Sequence, residues 1–443
     1  MIITKNISRI SPQGVQGNKG SLFSNKIYLK VVLLITYYLL LITYSKGQTI
    51  DSTSYGQYKF IDKSINKIEN DSVSLAAFYE KLVQLKETRS GRVNIIHIGD
   101  SHIQADHFSG TVRQKLQLKF GNAVRGLIFP YRVAKSNEPT SYKTTTNVVW
   151  DAKRNVFFEK PLPIGISGFT VETADSSAEI NLMVKDQPGL GYGFTKFTLF
   201  HERGAANYDI TICDDLNCER GIFKSTDKST DPFISELKFD KPISQIILRN
   251  KCSDTACQRS TRIYGMLLEN DSSGVLYNMI GVNGAEYRHY NMSKYFIQQL
   301  PYLNPDLVII SMGTNEGFSM GFDQALFYRN IDTLITSIKN ANPNAAILLT
   351  TPADSYRKTR KGKVKNPDMK TARLTVINYC VQHQLAYWDL YEIMGGFGSM
   401  GKWYAAKLTA KDRVHFSGRG YQIQGDLFYK ALISGYEKYV RSK

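Results

Sequence analysis

The chain has 443 residues, of which 42% are hydrophobic and 21% charged, and a formal net charge of +17. This is the composition of an ordinary globular protein long enough for two domains, and it excludes an intrinsically disordered chain. The basic balance favours an anionic partner such as an envelope surface or polymer; nucleic-acid binding would need a recognisable module, and none is present.

Residues 1–47 stand apart. They carry Lys5, Arg9, Lys19, Lys26, Lys30 and Lys46, no acid, and an apolar run over 31–43. That run is too short to span a bilayer comfortably and is followed by Ser45-Lys46-Gly47, so it reads as a secretory signal cleaved near Gly47. An uncleaved membrane anchor is the alternative, because the basic segment before the run is long. Export to the periplasm or cell envelope is therefore expected, with membrane contact only through this segment. Its removal takes away six positive charges, so +17 falls to +11 and the remainder is still basic.

Residues 48–71 are polar and read as a linker. Leu75, Phe78, Leu82 and Leu85 then mark an amphipathic helix. Residues 93–98 are β-branched and apolar without alternation, as in a strand buried on both faces of a parallel sheet. The run stops at Gly99-Asp100-Ser101-His102, and Phe108, Val112, Leu116 and Phe120 follow at helical spacing. Ser101 is thereby placed on a strand-to-helix turn at the carboxyl end of a strand, where ligands bind in open α/β sheets. The plainer reading is that Ser101 only caps the helix.

After a Gly- and aromatic-rich loop over 121–131, the pattern changes. Short β-rich runs cover 147–150, 156–159, 168–172, 179–184, 194–200, 208–213, 235–239, 245–249 and 263–268, separated by Gly, Pro, Asn, Asp and Ser clusters. They predict an antiparallel β-sandwich over 141–272. Strand and helix alternation resumes with strands at 276–280, 307–311, 346–350 and 385–389 and helices near 287–299, 322–339, 369–384 and 418–439. This is βαβ order. The expected architecture is a three-layer α/β/α parallel-sheet domain made of 72–140 and 273–443, with the sandwich inserted between its parts.

Four of the five cysteines, Cys213, Cys218, Cys252 and Cys257, fall in the insertion. In an exported protein they predict two disulfides of undetermined pairing, with a four-thiolate zinc site as the alternative; Cys380 reads as a buried apolar residue. Trp150, Phe157, Tyr192 and Phe200 either stack on sugar rings or fill the sandwich core, the latter being the commoner use.

A serine nucleophile needs a base, an orienting acid and oxyanion donors. Asp412-Arg413-Val414-His415 places an acid and an imidazole three residues apart, before the last helix. Gly284 follows the 276–280 strand, and Gly313-Thr314-Asn315-Glu316 follows the 307–311 strand. All of these fall on one edge of the sheet. Gly99-Asp100-Ser101, Gly284, Gly313-Thr314-Asn315 and Asp412-x-x-His415 resemble the four ordered blocks of the SGNH/GDSL hydrolases. The extended Gly99-Asp-Ser-His-Ile-Gln-Ala-Asp106, with a β-domain before the glycine block, is similar more narrowly to bacterial peptidoglycan O-acetylesterases.

The resemblance implies a flavodoxin-like SGNH fold, Ser101 as nucleophile, His415 as base and then acid, and Asp412 as the group that orients the imidazole. It also implies an oxyanion hole of the Ser101 N–H, the Gly284 N–H and the Asn315 amide. Gly281, Gly165 and Gly168 are rivals for the glycine position, and Glu316 stands where many relatives have Asp. The inserted domain is likened to a carbohydrate-binding module. No cofactor is required, and the expected partner is an acetylated glycan; oligomeric state is left open.

His102 and Asp106 lie beside the nucleophile and are candidate substrate-binding residues, with His107 adding a metal site as a lesser alternative. Arg357, Lys358, Arg360 and Lys361 begin a run of six positive charges over 357–365. It reads as a solvated loop or as a grip on an anionic glycan. An O-acetyltransferase on the same scaffold and a non-catalytic glycan-binding protein are the competing functions.

Overall fold

A computed structural model describes residues 55–157, 162–227, 233–318, 320–360 and 362–443. The signal or anchor expected over 1–47 lies outside them. Among the described residues no helix is long and apolar enough to cross a membrane.

The organising element is a six-stranded sheet in the order Ile68–Glu69, Ala386–Trp388, Ala346–Thr350, Leu307–Ser311, Arg92–Gly99, Gly274–Gly281. The last five are parallel, and Ile68–Glu69 adds an antiparallel edge. The unalternating apolar run of Arg92–Gly99 is explained by its place between two neighbours: every residue from Val93 to Gly99 is buried. In register, Gly99 stands opposite Gly281 on one side and Ser311 on the other. Three strand ends thus meet at one point.

Helices cover the sheet. Ala76–Thr88, His107–Phe120 and Gly418–Arg441 share one packed cluster, with Phe108 and Phe428 edge to face and Trp388 beneath both. Gln324–Ala341 and Asp368–Gln382 pack against each other. The helix expected over 287–299 is broken into Tyr287–Asn291 and Phe296–Gln299.

The expected linker needs correction for 55–71. The Tyr55 hydroxyl, buried, donates to Asp426 at 2.6 Å, Asn66 donates to the Leu427 carbonyl at 2.9 Å, and 68–69 extend the sheet. Polar composition hid this because the anchoring contacts are themselves hydrogen bonds from polar residues.

Between helix His107–Phe120 and strand Gly274–Gly281 lie two antiparallel sheets. One runs Glu219–Phe223, Asp209–Cys213, Gln245–Lys251, Glu179–Val184, Tyr142–Thr146. The other runs Ile234–Ile243, Phe194–His201, Thr261–Glu269, Phe169–Thr173, Asp151–Arg154, with Gly126–Ile128 pairing Thr261–Glu269. Phe197 stacks on Phe223 between the sheets at 6.2 Å. Phe194–His201 shows little alternation because its other face is covered too, with Phe200 meeting Tyr302 of the α/β part. Residues 147–150, expected as a strand, instead connect two strands, and Gly126–Ile128, expected as loop, is a strand. Trp150, Tyr192 and Phe200 are buried; Phe157 is half-exposed with Arg154 over its ring.

The expected disulfides are not formed: Cys213, Cys218, Cys252, Cys257 and Cys380 are free thiols. Cys213 is buried with its sulfur 3.6 Å from the Arg249 guanidinium, whereas the exposed Cys218 faces the Leu216 carbonyl. The intervening turn is held by Asp214, which accepts from the Leu216 and Cys218 N–H groups, so hydrogen bonding closes it without a covalent link.

Candidate active site

The nucleophile turn is shaped by close approaches. A side chain at Gly99 would lie 2.2 Å from Ile103, and one at Gly281 would lie 2.4 Å from the Gln104 backbone nitrogen, so both strand ends press against the turn. Asp100 caps the short helix Ser101–Gln104 by accepting the His102 N–H at 2.9 Å. Ser101 is left half-exposed at the sheet edge.

Residues 314 positions apart meet there. The Ser101 Oγ lies 2.9 Å from His415 Nε2, and His415 Nδ1 lies 2.8 Å from Asp412 Oδ2. The other Asp412 oxygen accepts the Val414 and His415 N–H groups at 2.9 and 3.0 Å. One carboxylate therefore shapes the loop and orients the ring. Burial opposes its charge, but these hydrogen bonds outweigh that and hold its pKa below the ordinary carboxylate value. With Nδ1–H donating its hydrogen bond to Asp412, Nε2 is left as the acceptor that faces the serine hydroxyl.

Arg413 between them adopts a left-handed φ of 59°, with its guanidinium 4.4 Å from the Tyr404 ring centre and 5.0 Å from that of Tyr356. The Tyr356 N–H donates to the Arg413 carbonyl at 2.9 Å.

Gly284 has φ +83° and open space where a side chain would begin; Gly165, Gly168 and Gly281 are each hemmed in. Asn315 Nδ2 donates to the Ala285 carbonyl at 2.8 Å and lies 3.3 Å from Asp100 Oδ2. The amide thus ties the glycine turn to the nucleophile turn. A serine, an imidazole on a carboxylate and backbone N–H groups at one edge are the parts needed for acyl transfer.

Residues 250–423, which include Gly284, Asn315, Asp412 and His415, match the model of the GDSL-like Lipase/Acylhydrolase family. This part of the chain is similar to that family. The fold of the chain is shared with the solved structure of a peptidoglycan O-acetylesterase, with a TM-score of 0.67 and 21% identity over 87% of this chain and 99% of that one. Weaker similarity is found to an acetyl xylan esterase (TM-score 0.30, 17% identity, 36% of this chain and 81% of that one). A family two carbohydrate esterase from Clostridium thermocellum is comparable (TM-score 0.29, 13% identity, 66% and 98%). No curated protein sequence matches the chain.

Other candidate positions have different surroundings from those expected. Asp106, expected beside the substrate, sits in an internal charge cluster. It is buried and ion-paired with Arg113 at 2.6 Å and Arg125 at 3.2 Å, and accepts from Ser109 at 2.6 Å. Burial opposes its charge, and the two guanidinium groups reverse the balance and lower its pKa. His102 stacks on His415, ring centres 5.3 Å apart, and its Nδ1 lies 2.9 Å from the Tyr421 hydroxyl. Burial, reinforced by His415, pushes its pKa down to about 3, so the ring beside the base is neutral. His107 stacks on Tyr421, ring centres 6.4 Å apart. Among the described residues no group of three His, Cys, Asp or Glu side chains could hold a metal.

The basic run is a hairpin, not a loop: Tyr356–Thr359 pairs with Gly362–Lys365. Arg357 is engaged by Asp368 at 2.7 Å, Lys358 and Arg360 border the turn, and Lys361 lies outside the described residues. Lys363 donates to the Lys411 carbonyl, so this hairpin braces the Asp412–His415 loop from two points.

Sequence reasoning missed Gln104 and Tyr421. Gln104 donates to Ser136 at 2.7 Å and accepts the Asn283 N–H at 2.8 Å, joining the nucleophile turn to the glycine turn. Its only signal was its place within the 99–106 stretch.

Glu316 is buried, its Oε1 accepting the Tyr287 N–H at 2.8 Å, and burial pushes its pKa up to about 8. A folded-state pKa above the unfolded 4.5 means that the native protein holds a proton the unfolded chain has lost. Stability is therefore lost as pH rises from about 4.5 towards about 8. Melting curves at pH 5 and pH 8 should show a smaller alkaline loss for Glu316→Gln than for the wild type; an identical loss would remove Glu316 from that dependence.

Proposed function

We propose that this chain is an exported serine esterase that removes O-acetyl groups from a cell-envelope polysaccharide, peptidoglycan first among them. The observation that carries the chemistry is the unbroken Ser101, His415, Asp412 hydrogen-bond chain at the carboxyl edge of the sheet. The substrate reading is supported by the fold shared with a peptidoglycan O-acetylesterase and by the Gly99–Asp106 stretch.

His415 Nε2 takes the Ser101 proton as Oγ bonds to the acetyl carbonyl carbon. The oxyanion is held by the Ser101 and Gly284 N–H groups and by Asn315 Nδ2, whose longer contact to Asp100 is the one exchanged. His415 then returns the proton to the departing sugar oxygen, leaving acetyl-Ser101. Water, deprotonated by His415, attacks the acetyl carbon; collapse releases acetate, and Oγ regains its proton.

The test is acetate release from O-acetylated peptidoglycan by the full chain. Release supports the reading. A chain that cleaves only a small aryl acetate keeps the chemistry and loses the substrate. Acetyl transfer to an added sugar faster than hydrolysis would make it a transferase, and failure on every ester by folded protein would leave a glycan-binding protein.

The hairpin is assigned to polymer attraction, because it carries positive charge next to the catalytic loop. Lys358→Gln with Arg360→Gln should lower the rate on acetylated polymer severalfold more than the rate on aryl acetate, with the gap closing as salt rises. Parallel rate changes on the two substrates would count against this role.

A further inference from the structure

A cavity lies beside the segments that carry the proposed oxyanion donors and takes no part in the acyl chemistry. It measures about 230 Å³ and lies among Glu286, Arg288, Glu316, Phe322, Leu326 and Asn330. Glu286 comes two residues after Gly284 and Glu316 directly follows Asn315, and the Asn315–Ala285 hydrogen bond locks these segments together. The cavity wall is thereby joined to the two segments that carry Gly284 and Asn315.

Its lining is mixed in a telling way. Glu316 is 9% exposed, and while Oε1 is satisfied by Tyr287, Oε2 is buried without a hydrogen-bond partner. Buried polar atoms are rarely left so, and one at a cavity invites a ligand group. With its pKa raised to about 8 by burial, this carboxyl is neutral near pH 7 and offers both a donor and an acceptor.

The apolar wall is Phe322, packed on Phe327 at 5.5 Å, together with Leu326, which is 44% exposed. Glu286 is paired with Arg288 at 2.6 Å, and Asp323 is occupied in capping helix Gln324–Ala341. With Arg288 held by Glu286 and Asp323 held by its cap, this lining favours a neutral group over an ion. A ring with an apolar face and a neutral amide or hydroxyl meets these constraints.

We propose that this cavity is a glycan subsite that seats a neutral acetamido sugar beside the ester-bearing residue, with its amide on Glu316 and its ring on Phe322. The choice of sugar rests on the deacetylase reading above. The probe is tetra-N-acetylchitotetraose, titrated calorimetrically into the full chain carrying Ser101→Ala.

Binding is expected, with Phe322→Ala raising the dissociation constant about three- to tenfold. Glu316→Leu should do the same and Glu316→Gln should restore binding. Phe322→Ala keeps the test valid if Glu316→Leu does not fold. In the Ser101 enzyme, Phe322→Ala should lower kcat/KM for O-acetylated chito-oligosaccharide about three- to tenfold more than for p-nitrophenyl acetate, through KM. No binding, or binding that Phe322→Ala does not weaken, overturns the subsite. Pocket-dependent binding by a chain without Ser101-dependent hydrolysis would overturn the deacetylase reading and leave the subsite standing.

Discussion

Replacing Ser101 by alanine is expected to lower kcat for ester hydrolysis by about 10⁴-fold or more while leaving the thermal midpoint nearly unchanged. The two effects separate because the Oγ has one role. It is half-exposed, its hydrogen-bond partner is the His415 Nε2, and its loss strands no buried group. What disappears is the atom proposed above to accept the acyl group. Asp412→Asn is a useful companion, expected to cost about 10⁴-fold by presenting the wrong hydrogen-bonding face to Nδ1, and some stability besides, since Asp412 also holds the Val414 and His415 N–H groups. Initial rates of acetate release beside melting curves check both. A Ser101→Ala protein as active as wild type would remove Ser101 from the chemistry.

Asp106→Asn should destabilise the protein by about 3–5 kcal/mol, read from urea unfolding. Asp106 is the shared counter-charge of Arg113 and Arg125, all three buried, and its neutralisation leaves two guanidinium groups without compensation. Asparagine is the informative replacement because Asp106 sits at φ +57°, a left-handed conformation that Asn tolerates, so the charge is tested without added backbone strain. The sign with pH follows from the lowered pKa. The contribution is present above the unfolded carboxyl value and is lost as pH falls through the folded one. An unchanged unfolding midpoint would mean that the guanidinium groups find other partners.

How far each part was legible depends on the range of the interaction that fixes it. The helix 107–120 follows from Phe108, Val112, Leu116 and Phe120, and strand 179–184 from its alternation, because one buried face imprints its period on the chain. Ser101, Asp412 and His415 were legible as candidates because each stands at the end of a predicted strand or before a predicted helix. Asp106, Gln104 and the 357–365 run were misread or missed. Asp106 gains its meaning from Arg125, Gln104 from Asn283 and Ser136, and the hairpin from the Asp412 loop it braces. The cysteine pairs misled because spacing permits a bridge without requiring one, and the 213–218 turn is closed by Asp214 instead.

The sequence by itself determined the α/β order, the inserted run of strands and the residue types available at the sheet edge, since periodicity and turn chemistry are local. Only the tertiary structure decided that Ser101 and His415 stand 2.9 Å apart, that Asp106 is an internal counter-ion, and that Glu316 is sealed beside a cavity. Charge, burial and hydrogen-bond partnership are properties of an environment, and here that environment is assembled from segments hundreds of residues apart.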